Sequence, residues 1–255
     1  LPGFLGIVLY MAAVSVTVRL KPDAGPAGEK ADWIERLSAL RHVWAICLLF
    51  VVVMGGIYSG IFTPTEAAGI GASGAFVIAL LRRSLTFKRL TDTLVSTVRT
   101  TAMLFFLVIG AVLFSNFINL AGLPDSLRDM VLAMDLSPVL VILAIVAIYV
   151  LLGCVLESMS MILLTVPIFF PMMMALDFGM SPEHVAIWFG ILVLIVVETG
   201  LITPPVGMNL FIINAMDRLT PMMHTYRAVS WFVVSDLIRV GILVAFPAIT
   251  LFLIP

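Results

Sequence analysis

Two short stretches put oxygen donors and helix breakers inside runs of residues otherwise suited to a lipid bilayer. The first is Gly153-Cys154-Val155-Leu156-Glu157-Ser158-Met159-Ser160, and the second is Glu198-Thr199-Gly200-Leu201-Ile202-Thr203-Pro204-Pro205-Val206-Gly207-Met208-Asn209. In the second, Pro204 and Pro205 remove two N–H donors, and Gly200 and Gly207 admit backbone geometries closed to other residues. Carbonyls from Gly200 to Val206 are therefore expected to lose their helical partners, as are those around Gly153 to Glu157, and hydrocarbon offers no replacement. Such backbone at membrane depth is tolerated where protein covers it or where it lines a watery cavity, and in transporters it binds ions or substrate. Ser158, Ser160, Thr203 and Asn209 add neutral oxygens of the kind a hard cation accepts. The candidate site is Gly153, Glu157, Ser158, Ser160, Gly200, Thr203, Pro204, Pro205, Val206, Gly207 and Asn209, with Gly200, Thr203 and Val206 as direct cation ligands. The plain alternative is a proline kink, for which one proline suffices; the Thr-Pro-Pro-x-Gly-x-Asn cluster exceeds that need.

Glu157 and Glu198 are ionisable groups in apolar surroundings, where a charge near the bilayer centre costs on the order of 2.5 to 3.5 kcal/mol. Glu157 either organises the tip of its break, by accepting backbone N–H bonds or joining a cation site, or is protonated or reaches water there. Glu198 has the same ambiguity and could also cap a half-helix. Glu66 reads as structural, at the capping-box position after Thr63-Pro64-Thr65. His42, His184 and His224 fall at membrane boundaries, and Met172, Met173 and Met174 read as gap-filling thioethers. No His-Glu-x-x-His, nucleophile elbow or phosphate-binding glycine loop occurs, which disfavours an intramembrane enzyme.

With 62% hydrophobic and 11% charged residues over 255 positions, the chain lies far from soluble composition and reads as an all-α polytopic membrane protein. Its net charge of -1 gives no support to nucleic-acid binding. Cys47 and Cys154 both sit in apolar runs, so neither a disulfide framework nor a zinc site follows. Leu1 runs directly into an apolar segment, as the C-terminal piece of something longer would.

The elements that must position the breaks follow in order. Leu1 to Val18 is a first spanning helix, within a 1–20 segment assigned to a preceding repeat; 21–42 is a connector whose Asp32 to Ala45 stretch suits a helix on the membrane surface. The 43–122 segment holds spans at Val43 to Phe62, at Pro64 to Leu81 with a small-residue stripe of Ala67, Gly71 and Ala75, and at Thr101 to Leu120. In 123–176, Leu123 to Met134 is an interfacial helix, and Pro138 to Ala175 is a re-entrant hairpin with arms of about 22 Å each. Two tilted spanning helices are the other reading of that stretch. The 184–218 segment is a discontinuous helix, because Ala186 to Val197 rises only about 18 Å. Finally, 227–255 carries a last crossing from Val233 to Ile254, with Arg239 near its start.

Basic residues orient the chain. Arg19, Lys21, Lys30, Arg36, Arg41, Arg82, Arg83, Lys88, Arg89, Arg99, Arg218 and Arg227 fall on one side, twelve of the fourteen Lys and Arg residues, while Arg128 falls on the other. That asymmetry puts the basic segments in the cytoplasm and the hairpin mouth and C-terminus outside.

Two further matches are specific. Gly55-Gly56-Ile57-Tyr58-Ser59-Gly60-Ile61-Phe62-Thr63-Pro64-Thr65-Glu66-Ala67-Ala68 and Gly200-Leu201-Ile202-Thr203-Pro204-Pro205-Val206-Gly207-Met208-Asn209 resemble signatures of the large membrane subunit of tripartite ATP-independent periplasmic (TRAP) transporters. Gly153 to Pro171, with Glu157, Pro167 and Pro171, resembles that family's outward-opening hairpin. The resemblance implies a sodium-driven importer of organic acids such as C4-dicarboxylates in the bacterial inner membrane. Sodium is the coupling ion and no cofactor is implied. The implied partners are a periplasmic binding protein, a small membrane subunit and the N-terminal half of the large subunit. It further implies the second half of an inverted-repeat, elevator-type fold; the first repeat, with its own hairpin and broken helix, is not in this sequence. A non-transporting membrane scaffold is the competing class.

Overall fold

A computed structural model describes residues 1–22, 32–216 and 220–254, without the side chains of residues 36, 37 and 40–42. Lys30, Arg218 and the loop beyond Pro22 lie outside the described residues, as do the side chains of Arg36, Arg41 and His42. Every regular element described is helical: α1 (Pro2–Leu20), α2 (Trp33–Tyr58), α3 (Pro64–Leu81), α4 (Phe87–Leu120), α5 (Leu123–Ala133), α6 (Pro138–Gly153), α7 (Ser158–Met174), α8 (Pro182–Leu201), α9 (Met208–Met216), α10 (Met222–Ala245) and α11 (Ala248–Leu251). Of these, α1, α3, α4, α8 and α10 are long and apolar enough to cross a membrane.

The chain divides into two units. One contains α2, α3 and the start of α4 as far as Leu104. In it, Asp32 and Glu35 form a capping box at the head of α2, and Thr63 and Glu66 form one at the head of α3, so Glu66 is structural as expected. The surface helix and the following span are not separate, because α2 runs unbroken from Trp33 to Tyr58. Helix α2 meets α3 along Ala67, Gly71 and Gly74, where Cβ atoms added at the two glycines would lie 3.4 Å from Val53 and 2.5 Å from Leu49. The expected stripe member Ala75 is exposed; the packed face follows i, i+4, i+7, the geometry of a 3.6-residue turn.

The other unit contains α1, the rest of α4 and everything beyond. Helix α4 starts at Phe87, well before Thr101, because Thr86 to Arg99 holds no proline or glycine to stop it. Helix α8 is the axis of this unit, and α6, α7, α10 and α11 pack on it. Its core is built from Ile142, Ile145, Tyr149, Met161, Met173, Trp188, Phe189, Leu192 and Val196, all nearly inaccessible. Ser137 and Ser181 cap α6 and α8, each followed by a proline at the first helical position, where its missing N–H costs nothing.

Two element boundaries differ from expectation for reasons the local chemistry supplies. The 186–197 segment is part of a helix from Pro182 to Leu201, about 30 Å long and sufficient to cross a bilayer, so the interruption falls after it. The last crossing begins at Met222 and ends at Ala245, followed by a single turn at Ala248–Leu251. Pro247 ends it: having no N–H, it cannot bond the carbonyl of Leu243, four residues earlier. Trp188 of α8 takes its place, donating from Nε1 to the Leu243 carbonyl at 2.9 Å.

Candidate functional site

Helix α6 is 16 residues and α7 is 17, separated by Cys154 to Glu157. Both arms are shorter than the roughly 20 residues of a comfortable crossing. Glu157 supplies the N-cap of α7: its carboxylate accepts from the N–H groups of Met159 at 3.1 Å and Ser160 at 3.0 Å, and from the Ser160 hydroxyl at 3.1 Å. Accepting backbone N–H bonds is one of the roles open to Glu157 in the sequence, and the structure shows it. Thr165, two turns on, donates to the Met161 carbonyl at 2.6 Å and lies 2.7 Å from the buried Tyr149 hydroxyl.

The second break begins where α8 meets Pro204. In a continuing helix the Gly200 and Leu201 carbonyls would accept from residues 204 and 205, and both are prolines. The chain tightens instead: Ile202 N–H donates to the Thr199 carbonyl at 3.2 Å and Thr203 N–H to the Gly200 carbonyl at 2.9 Å. The Gly200 carbonyl thus loses its donor four residues on, as expected, and accepts a shorter-range bond from Thr203 in its place. The Thr203 hydroxyl donates to the Thr199 carbonyl at 2.6 Å. Across the cis Pro204–Pro205 peptide, Tyr226 of α10 reaches in, its hydroxyl 2.6 Å from the Pro205 carbonyl and 3.2 Å from that of Val206. Gly207, at φ 59°, turns the chain into α9 and accepts from Leu210 N–H at 2.8 Å.

The two breaks meet. A Cβ on Gly153 would lie 2.8 Å from Gly200 Cα, and one on Gly200 would lie 2.6 Å from Gly153 Cα. Only two glycines allow α6 and α8 to cross at backbone contact. Beside this crossing, Cys154 Sγ lies 3.7 Å from the Pro204 carbonyl, and the Ser158 hydroxyl donates to Glu198 at 3.1 Å. Gly153, Ser158, Gly200 and Pro204 are thus brought together, Glu157 and Ser160 cap α7 alongside, and Thr203 and Pro205 lie in the adjoining loop. Val206 is turned toward Tyr226, and Asn209 stands on α9, which packs on α8 and α10. No three His, Cys, Asp or Glu side chains among the described residues gather as a metal site.

Sequence reading did not anticipate Tyr226, or the polar contact between α1 and α10. Asp236, 2% exposed, accepts from the Tyr10 hydroxyl at 2.6 Å and lies 2.8 Å from Arg239 Nη2. The ions touch without the alignment a hydrogen bond needs, and Arg239 Nε also lacks a hydrogen-bond partner. Gly6 leaves the space the guanidinium occupies. The opposite charges at i, i+3 in an apolar helix were the available signal.

A model of the family described as "Tripartite ATP-independent periplasmic transporter, DctM component" matches residues 1–249. The chain is 34% identical over 252 residues to the C4-dicarboxylate TRAP transporter large permease protein DctM of Pseudomonas aeruginosa, covering 98% of this chain and 57% of that protein. It is 32% identical over 225 residues to the sialic acid TRAP transporter large permease protein SiaM of Vibrio cholerae, covering 88% and 51%. Against the 2,3-diketo-L-gulonate TRAP transporter large permease protein YiaN of Escherichia coli, identity is 33% over 183 residues, covering 71% and 41%. The chain spans about half the length of the curated relatives it matches. Those relatives are transporter permeases, not enzymes.

Proposed function

The chain belongs to the DctM component family of tripartite ATP-independent periplasmic transporters, and from that premise we propose that it is the transport half of a sodium-coupled importer of an organic acid, a C4-dicarboxylate or a related carboxylate. The observation that carries this reading is the contact between the tip of α6 and α7 and the break after α8, centred on Gly153 and Gly200. In this reading α6 and α7 form a re-entrant hairpin, and α8 and α9 a discontinuous helix, in the second half of an inverted-repeat, elevator-type transporter of the bacterial inner membrane.

Sodium binds beside that contact. Leu201 has a proline four residues on, so its carbonyl has no helical donor and is available to a cation. Thr203 and Ser158 donate their hydroxyl protons within the protein, which leaves oxygen lone pairs for an ion. The substrate carboxylate suits the N-terminus of α9, where Gly207 brings no side chain and the helix dipole favours an anion. The N-terminus of α7 is less suited, because the Glu157 carboxylate already fills it. An anion beside the cation makes the two affinities rise and fall together.

The partners in this reading are a small membrane subunit, a periplasmic binding protein and the N-terminal half of the large subunit. Solute counterflow in proteoliposomes containing all of them tests it. Flux that requires this chain and accelerates with an inward sodium gradient is expected. A scaffold would give no flux in any combination, and flux indifferent to sodium would remove the ion coupling.

A further inference from the structure

Helices α1 and α10 run antiparallel in a constant register. Tyr10 bonds Asp236, and its ring meets Phe232 edge-on at 5.3 Å, while the Gly6 position faces Arg239. Continuing that register toward the end of α1 brings Lys21 to the level of His224. At that end the two helices line a cavity of about 440 Å³, whose lining includes Lys21, His224 and Arg227 together with Val14, Trp231 and Phe232. The cavity is graded along the helix axis, with Val14, Trp231 and Phe232 toward Tyr10 and Lys21, His224 and Arg227 toward the other end.

The grading matches the bilayer. Lys21, the C-cap of α1, lies eleven residues beyond Tyr10, about 16 Å of rise and close to half of a roughly 30 Å hydrocarbon core. With Tyr10 and Asp236 near the middle of the membrane, Lys21 and Arg227 lie at headgroup level. Neither is in an ion pair among the described residues. The N-terminus of α10, capped by Pro221 without a side-chain bond, adds positive partial charge at the same end.

We propose that this groove is a binding site for one anionic phospholipid. Its phosphate sits between Lys21 and Arg227 within reach of His224, and an acyl chain lies along Val14, Phe232 and Trp231. A zwitterionic lipid carries its own cation and gains less from the two basic side chains. The proposal does not depend on sodium coupling or on which acid is carried.

The test is native mass spectrometry of the purified chain after exposure to equal amounts of dioleoyl phosphatidylglycerol and dioleoyl phosphatidylcholine. Preferential retention of one phosphatidylglycerol is expected. Lys21→Gln and Arg227→Gln should each weaken it about fivefold, and the double variant roughly thirtyfold. Lys88→Gln, on the other unit, should leave it unchanged. Val14→Trp fills the apolar wall without altering charge and should also expel the lipid. Unfolding midpoints of all variants are compared, so that a misfolded variant is replaced by Lys21→Met or Arg227→Met. Equal retention of the two lipids, variants that bind as the parent does, or displacement by millimolar inorganic phosphate would each overturn the proposal, the last by making this a site for a free anion.

Discussion

Gly153 and Gly200 touch at their Cα atoms, so the C-terminal ends of α6 and α8 cross with no side chain between them. Every other contact between the two breaks depends on that approach. Gly153→Ala and Gly200→Ala must push α6 and α8 apart, because the obstructing atoms are backbone. Each is expected to lower stability by roughly 1 to 3 kcal/mol and to abolish transport by the assembled system. Gly190→Ala, with nothing within 4 Å of the added atom, is the matched control on α8 and should be neutral. Thermal unfolding in detergent measures this, and equal midpoints for all three variants would contradict the crossing.

The oxygens beside the crossing make the second prediction. Thr203→Val and Ser158→Ala keep shape and delete a hydroxyl, so each should raise the sodium concentration for half-maximal uptake with expression nearly unchanged. Asn209→Leu, on α9, should instead weaken substrate affinity. Uptake assays over a sodium series separate these effects. Parental sodium dependence in both hydroxyl variants would limit the ion's ligands to backbone carbonyls.

Asp236 and Arg239 give a prediction about stability. Asp236→Asn leaves the guanidinium buried without its counter-charge and should cost about 3 to 5 kcal/mol. The double variant Asp236→Leu with Arg239→Met should recover most of that loss, because it removes both charges and fills similar volume. Tyr10→Phe deletes only the hydroxyl bond and should cost about 1.5 to 3 kcal/mol. A double-mutant cycle on unfolding free energies reads the coupling, and additive losses would mean that the two charges do not support one another.

Orientation is tested by labelling. In a background with Cys47 and Cys154 replaced, a membrane-impermeant maleimide applied from the periplasmic side should modify Asp177→Cys and spare Lys88→Cys. The opposite pattern would reverse the proposed orientation and move the lipid groove to the outer leaflet.

Residue order determined a good part of this protein. Proline and serine chemistry is local, so the start of α3, the interruption between α6 and α7 and the disruption after α8 were all legible from Thr63-Pro64, Gly153 to Ser160 and Thr203 to Gly207. Apolar length identified α1, α3, α4 and α10 as long enough to span, since the cost of exposing backbone to lipid depends on the segment alone, but it undercounted α8, whose helix runs from Pro182 to Leu201. Extents were less legible: α4 reaches back to Phe87 and α10 to Met222, because nothing local ends a helix at Arg99 or starts one at Val233. Which groups stand across from one another was decided only by the folded chain. Gly153 and Gly200 are 47 positions apart, Tyr10 and Asp236 are 226 apart, and the Leu243 carbonyl released by Pro247 is satisfied by Trp188, 55 residues away. At Gly200 the local reading gives only part of the answer: Pro204 removes the donor four residues on, and the tightened turn at Thr203 supplies a new one. Helix breaks follow from the covalent chemistry of single residues; the partners that satisfy them depend on how separate helices pack, and that packing is a property of the whole unit.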